Sequence, residues 1–132
     1  MASGLVDVEA GRLLDLSLTG SSATAAPTTP WKLALSTATT SGSSAGTEVV
    51  GGSYARATIT WVGAGTLVIG STSNAATINF TNMPAATVTD INIYDSAGTP
   101  RRLWWGALTA SKAVAVGDTL SFAGGAVAIT LA

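Results

Sequence analysis

The chain has no cysteine and no histidine, and only 10% of its 132 residues are charged. Without cysteine there are no disulfides and no thiolate chemistry, so a domain of this size must be held by packing or by oligomerisation. Without histidine the commonest metal ligand and the usual general base are missing, and much of the enzyme repertoire goes with them. Six Lys and Arg against seven Asp and Glu leave a formal charge of -1, and the basic residues stand singly apart from Arg101-Arg102. That distribution offers no electrostatic footprint for a nucleic-acid backbone. No apolar run approaches the roughly 18 to 20 residues that span a bilayer, and the N-terminus lacks the basic start and apolar centre of a secretion signal. The expectation is a soluble protein made in a cytoplasm, with neither nucleic acid nor membrane as partner.

What is present points to a folded domain. Apolar residues make up 47% of the chain, which excludes the low-hydrophobicity, high-charge signature of disorder. The length suits one core, since single domains commonly run to about 100 to 150 residues. With charge so sparse, solubility falls to hydroxyls, and Ser and Thr number 34. A weakly charged surface of this kind suits β structure largely covered by neighbouring subunits, because charged residues are depleted at the cores of protein interfaces.

The periodicity divides the chain into residues 1–30, a helix and its connector, and 31–132, a β domain. Asp7 to Leu16 reads as a short helix, with Asp7 as N-cap, Glu9 in the first turn, and Val6, Ala10, Leu13 and Leu14 at spacings of three and four. A helix this short is marginal alone and is expected to dock its leucine face. Gly20 ends it, and residues 21–30, with Pro27 and Pro30, connect it onward. After Pro30 the period becomes two. Trp31, Leu33 and Leu35 alternate with Lys32, Ala34 and Ser36, which predicts a half-buried strand. Thr37 to Gly52 reads as a long surface loop open to partners. Further strands are expected from Tyr54 to Trp61, then over 66–69, 77–80, 87–94, 103–107, 113–116, 119–122 and 127–131, fenced by turns such as Asn82-Met83-Pro84 and Ser96-Ala97-Gly98. The class is mainly β: an antiparallel sandwich, jelly-roll-like, preceded by a short N-terminal helix, although an antiparallel barrel presents the same pattern.

Several motifs invite a chemical reading. In Gly51-Gly52-Ser53-Tyr54-Ala55-Arg56 the glycines lead into a strand, whereas a phosphate-cradling loop opens a helix. They read as backbone hinges, with Tyr54 and Arg56 sharing one face. Asp90 and Asp95, five apart on one predicted strand, face opposite sides and form no glycosidase-like pair. Asp95-Ser96-Ala97-Gly98 and Gly117-Asp118-Thr119 read as turns. Calcium held by oxygens from distant loops stays open, with no EF-hand or repeat to support it. Ser111 and Lys112 are adjacent on an extended segment and point apart, which argues against a nucleophile and its base. Arg101-Arg102-Leu103-Trp104-Trp105 is the richest cluster. Its tryptophans should face opposite ways, one to the core and the other to solvent, another chain or the helix, and Trp and Arg are hot-spot residues. No catalytic, cofactor-binding or metal residue is assigned. Arg101, Arg102, Trp104, Trp105, Tyr54 and Arg56 are the candidate partner contacts.

Gly46-Thr47-Glu48-Val49, the GGSYAR stretch, Asn82-Met83-Pro84-Ala85, Val88 to Asp95, Gly106-Ala107-Leu108-Thr109 and Val116-Gly117-Asp118-Thr119-Leu120, in this order, resemble a family of small virion proteins of long-tailed bacteriophages, especially of actinobacterial hosts, labelled tail-fibre or head-decoration proteins. The likeness runs from about Leu13 to the end. The loop around Thr39 to Gly46 departs from it, carrying Ser and Thr where relatives often carry a Pro and an Asp. The resemblance implies a non-enzymatic virion component without cofactor, partnered by the major capsid protein or other virion proteins and by its own copies, with a trimer as the expected form. A single domain without coiled coil or repeat suits a head-decoration or minor capsid protein. A receptor-binding tail protein that stacks host glycan on its aromatics is the alternative.

Overall fold

A computed structural model describes residues 3–20, 25–63 and 70–131. In chain order they form β1 (Ser3–Leu5), α1 (Asp7–Thr19), β2 (Trp31–Ser36), β3 (Ala57–Ile59), β4 (Ser71–Ser73), β5 (Ile78–Phe80), β6 (Ala86–Tyr94), β7 (Arg102–Val114), β8 (Leu120–Phe122) and β9 (Ala128–Thr130). The expected antiparallel, mainly β architecture with one short N-terminal helix is the one observed. The strand expected over 66–69 lies outside the described residues, as does part of the connector, 21–24.

One antiparallel sheet runs in the order β1-β7-β6-β2-β3, and β4-β9 and β5-β8 form two-stranded sheets. Register divides the large sheet into two faces, because side chains alternate along each strand. Leu33 stands opposite Ile93 and Ala57, and Ile93 opposite Trp104. Ser36 stands opposite Asp90, and Ala34 opposite Asn92. On the first face Leu33, Leu35, Ile59, Val88 and Ile93 join Ile78, Phe80, Leu120 and Val127 from the small sheets and their flanks in a single core, with Met83 wholly buried among them. Each such side chain contributes about 1.5–3 kcal/mol by leaving water. Phe80 stacks on Tyr54 at 5.9 Å and meets Phe122 edge-on at 6.3 Å.

The second face is polar, and it too is covered. β2 was expected to be half-buried, yet Ala34 and Ser36 are buried along with Leu33 and Leu35, because residues 37–49 fold back across them. The reading of 37–52 as a purely surface loop is corrected accordingly: Thr40 and Val49 are buried. The chain from Tyr54 to Arg56 is irregular, and pairing begins at Ala57.

β7 joins two runs expected as separate strands. They meet at a large bulge: Val88 pairs with Lys112 and Asp90 with Ala107, so residues 108–111 stand against Thr89 alone. Bulges of this kind bend a strand and interrupt its edge. Beyond Gly106 the outer edge of β7 has no partner strand among the described residues, whereas β1 covers it from Trp104 to Gly106.

The helix departs from expectation at its start and along its leucine face. Its N-cap is Val6, not Asp7, and no side chain caps it. The Val6 N–H donates to the Leu103 carbonyl at 3.0 Å, which prolongs the β1 ladder and keeps Val6 extended. Asp7 and Glu9 therefore both occupy the first turn, where the helix dipole favours acids. Gly20, in a left-handed conformation (φ 74°), closes the helix by donating to the Leu16 carbonyl at 3.1 Å. Among the described residues the leucine face has no dock: no residue of α1 is buried, and Leu14 and Leu18 are 60% and 80% exposed. No helix among the described residues is long and apolar enough to cross a membrane.

Met83 ties the turn before β6 to the turn before β8: its N–H donates to Asp118 and its carbonyl accepts from Gly117. Met83→Ala is expected to cost about 2–5 kcal/mol through the cavity it leaves, read as a lower urea midpoint at unchanged slope. An unchanged midpoint would contradict this packing.

Candidate functional site

The polar face of the sheet is the first place where functional groups converge. The Ser36 hydroxyl donates to the Ala38 carbonyl (2.7 Å) and accepts from the Thr47 N–H (3.0 Å). Asp90 accepts from the Thr40 N–H (3.1 Å) and hydroxyl (2.9 Å). The Asn92 amide donates to the Ala45 carbonyl at 3.0 Å. Arg102 donates to the carbonyls of Ser41 (2.7 Å) and Gly42 (3.0 Å) and to Asn92 (3.1 Å). The 37–49 strap is thus held through backbone groups of both polarities by four sheet residues. Gly46 (φ 65°) permits the close approach, since a Cβ there would lie 2.5 Å from the Ser36 hydroxyl.

The GGSYAR stretch is a hinge, as expected. Gly51 and Gly52 have φ of 107° and 56°, and a Cβ on Gly52 would meet the Asn82 carbonyl at 2.6 Å. Tyr54 and Arg56 do share a face, and they meet on Glu48. The Tyr54 hydroxyl donates to Glu48 (2.9 Å) and accepts from the Leu35 N–H (3.0 Å), a donor that β3 starts too late to satisfy. Arg56 grips Glu48 with two bonds, Nε to Oε1 at 2.9 Å and Nη2 to Oε2 at 2.7 Å, and lies 3.7 Å over the Tyr94 ring. The Arg56 hydrogen bond, helped by that of Tyr54, outweighs burial and holds the Glu48 carboxyl below its usual range. Burial pushes the Tyr54 hydroxyl well above the ordinary phenol value.

The Arg101–Trp105 cluster makes contacts within the chain, and Arg101, Arg102, Trp104 and Trp105 stay partly exposed. Arg101 donates to the Ala25 carbonyl at 2.9 Å, and its Nε lies 3.5 Å from Asp95 and 4.0 Å from Glu9. Asp95 lies just past the end of β6, buried inside the turn that its sequence predicted: its carboxylate accepts the N–H groups of Arg101 (2.7 Å), Thr28 (3.1 Å) and Ala97 (3.3 Å). Burial drives its pKa upward, but these donors and the Arg101 charge prevail and hold it below the usual carboxylate range. Asp118 also closes its own turn through its side chain, accepting the Ala115 N–H at 2.8 Å. The tryptophans face opposite ways. Trp104 packs against the core, whereas Trp105 donates from Nε1 to the Leu5 carbonyl at 3.1 Å and lies against Gly4. Its cover is β1, an unexpected strand, and not the helix. Ser111 and Lys112 are exposed at the β7 bulge.

Asp90 and Asp95 serve separate networks, and among the described residues no three of His, Cys, Asp or Glu gather into a group able to hold a metal ion. The depressed pKa values of Glu48 and Asp95 have a consequence for acid stability. A carboxylate whose pKa is lower in the folded than in the unfolded chain stabilises fully above its unfolded value and loses that contribution as pH falls through the folded one. The thermal midpoint should therefore stay level down to about pH 5 and drop below about pH 4, near the unfolded values of both residue types. Asp95→Asn should lower the midpoint at pH 7 and flatten the fall. A midpoint level from pH 7 to about pH 3 would contradict both assignments.

Among the described residues the leucines of α1 are exposed, one apolar groove lies between β7 and the β8–β9 segment, and another is lined by Trp31, Trp61, Leu103 and Leu131 among others. Against that geometry, the family model described as podophage GP4 fiber I protein gp80 matches residues 4–130, carrying the likeness past Leu13 into the N-terminal segment. No curated protein matches the chain. A match that includes β1, α1 and every strand of the sheet assigns the chain to that family, and it is a structural component of the phage virion.

Proposed function

We propose that the chain is a non-enzymatic structural subunit of a virion fibre, built into the particle by contacts with other virion proteins and with its own copies. The observation that carries this reading is α1, which presents Val8, Leu13, Leu14, Leu16 and Leu18 to solvent. A helix apolar on most sides is ordinarily a buried one, and on this reading another virion chain covers it. The family's description as a fibre protein agrees. The polar side chains of the large sheet support it differently: they are engaged in holding the strap and turns, which suits a rigid scaffold better than a reacting centre.

A head-decoration role is the second reading, favoured by the compact sheet domain, which has no long coiled coil or repeat among its described residues. Such a clamp would bind the assembled shell and not free subunits, favouring assembly by mass action. Host-glycan binding gains less support, because no described tryptophan, tyrosine or phenylalanine is fully exposed.

Gold-labelled antibody against this chain, viewed on intact virions, separates these readings: label on the fibres is expected, label over the head would move the chain to the shell, and unlabelled particles would exclude both. The double variant L14E/L18E should unfold within about 0.5 kcal/mol of the parent, as exposed substitutions do, yet be missing from purified virions. Normal incorporation would remove α1 from the assembly contacts.

A further inference from the structure

We propose that α1 of one copy seats its leucines in the apolar groove of the next copy, so that the chains join head to tail. The groove, of about 520 Å³, lies beside the core-facing side of β7 and is lined by Trp104, Leu108, Phe122, Val127 and Ile129 among others. It is the part of the core that the small sheets leave open, since Trp104, Leu108, Phe122 and Ile129 are only partly buried. Its volume falls within the range of pockets that take up an apolar ligand, roughly 300–1,000 Å³.

The helix supplies a matching ridge. Ala10, Leu14 and Leu18 follow one another at intervals of four and lie along one side, the spacing by which amphipathic helices anchor in grooves. Charge agrees with the fit. Asp7, Glu9 and Asp15 outnumber Arg12 on the helix, and Lys112 is the single charged residue among the described ones lining the groove. A helix cannot serve its own groove here. The Asp7 N–H donates to the Gly42 carbonyl at 3.2 Å, so α1 departs from the strap side of the sheet, opposite the groove, and its leucines stay exposed.

A second copy is preferred as occupant because the exposed leucine ridge of α1 and this groove are unlike and complementary surfaces of one chain. Joining unlike surfaces leaves a free helix at one end and a free groove at the other, which extends into a ring or an open filament. Contact between two α1 helices would leave every groove open. The inference rests on the reading that protein covers α1 in the particle, and it is tested in solution, apart from the virion.

Light scattering on three samples decides it. The parent chain should gain mass with concentration above the 13.0 kDa of a single chain. L14E/L18E, with an intact groove, and Ala126→Arg, which crowds the groove from an exposed turn, should each remain single chains. Mixed in equal amounts they should form pairs and nothing larger, because each pair holds one working helix and one working groove. Unchanged thermal midpoints establish that the variants fold, and Ala110→Arg substitutes if Ala126→Arg shifts its midpoint. A groove variant that self-associates like the parent, a mixture that stays single, or a parent that never gains mass would each overturn the proposal. Any of these, together with loss of L14E/L18E from virions, would leave the assembly reading standing and the occupant wrong.

Discussion

Asp90 and Asn92 project from the middle of β6 into a face of the sheet that excludes water, and the chain survives this because the 37–49 strap brings their partners to them. Buried polar groups are costly unless bonded, and here Thr40 and Ala45 answer Asp90 and Asn92, while Arg102 closes the network on Ser41 and Gly42. A fully satisfied network of this kind rigidifies a fold and selects one arrangement. It also fixes what lies around it. The strap leads into Glu48 and Val49, which set Tyr54 and Arg56 on one side and fill the core on the other. Its Gly42 carbonyl receives the first residue of α1, so the departure of the helix depends on the same strap.

Much of the fold was legible because it is encoded locally. Alternation from Trp31 to Ser36 and from Thr87 to Tyr94, the left-handed stop at Gly20, and the Asp95 and Asp118 turns each depend on residues a few positions apart, and each is found. The elements that were missed are defined by distant partners. Ser3-Gly4-Leu5 carries no strand signal of its own and becomes β1 by lying along Trp104 to Gly106. Ser71-Thr72-Ser73 has no apolar residue and is a strand because β9 pairs with it.

The candidate site was less legible for the same reason. A stretch rich in Ser, Thr and Gly reads as solvated loop, and nothing within it announces that Asp90, Asn92 and Arg102, some 50 to 60 residues away, will draw it onto the sheet. Tyr54 and Arg56 were recognised as a pair, yet their meeting point, Glu48, precedes a double-glycine turn that hides the proximity. Periodicity found the leucines of α1 correctly and implied an internal dock. Hydrophobic pattern reports that a surface wants cover, not which chain provides it.

The domain therefore combines a rigid sheet braced by its strap with a helix whose apolar side chains are exposed. Hydrogen exchange compared between the free chain and intact virions tests that division most directly. Amides of the 37–49 strap should be protected equally in both, and amides of α1 should exchange fast in the free chain and slow sharply in the particle. A helix that exchanges alike in both states, with the strap gaining protection on assembly, would contradict it.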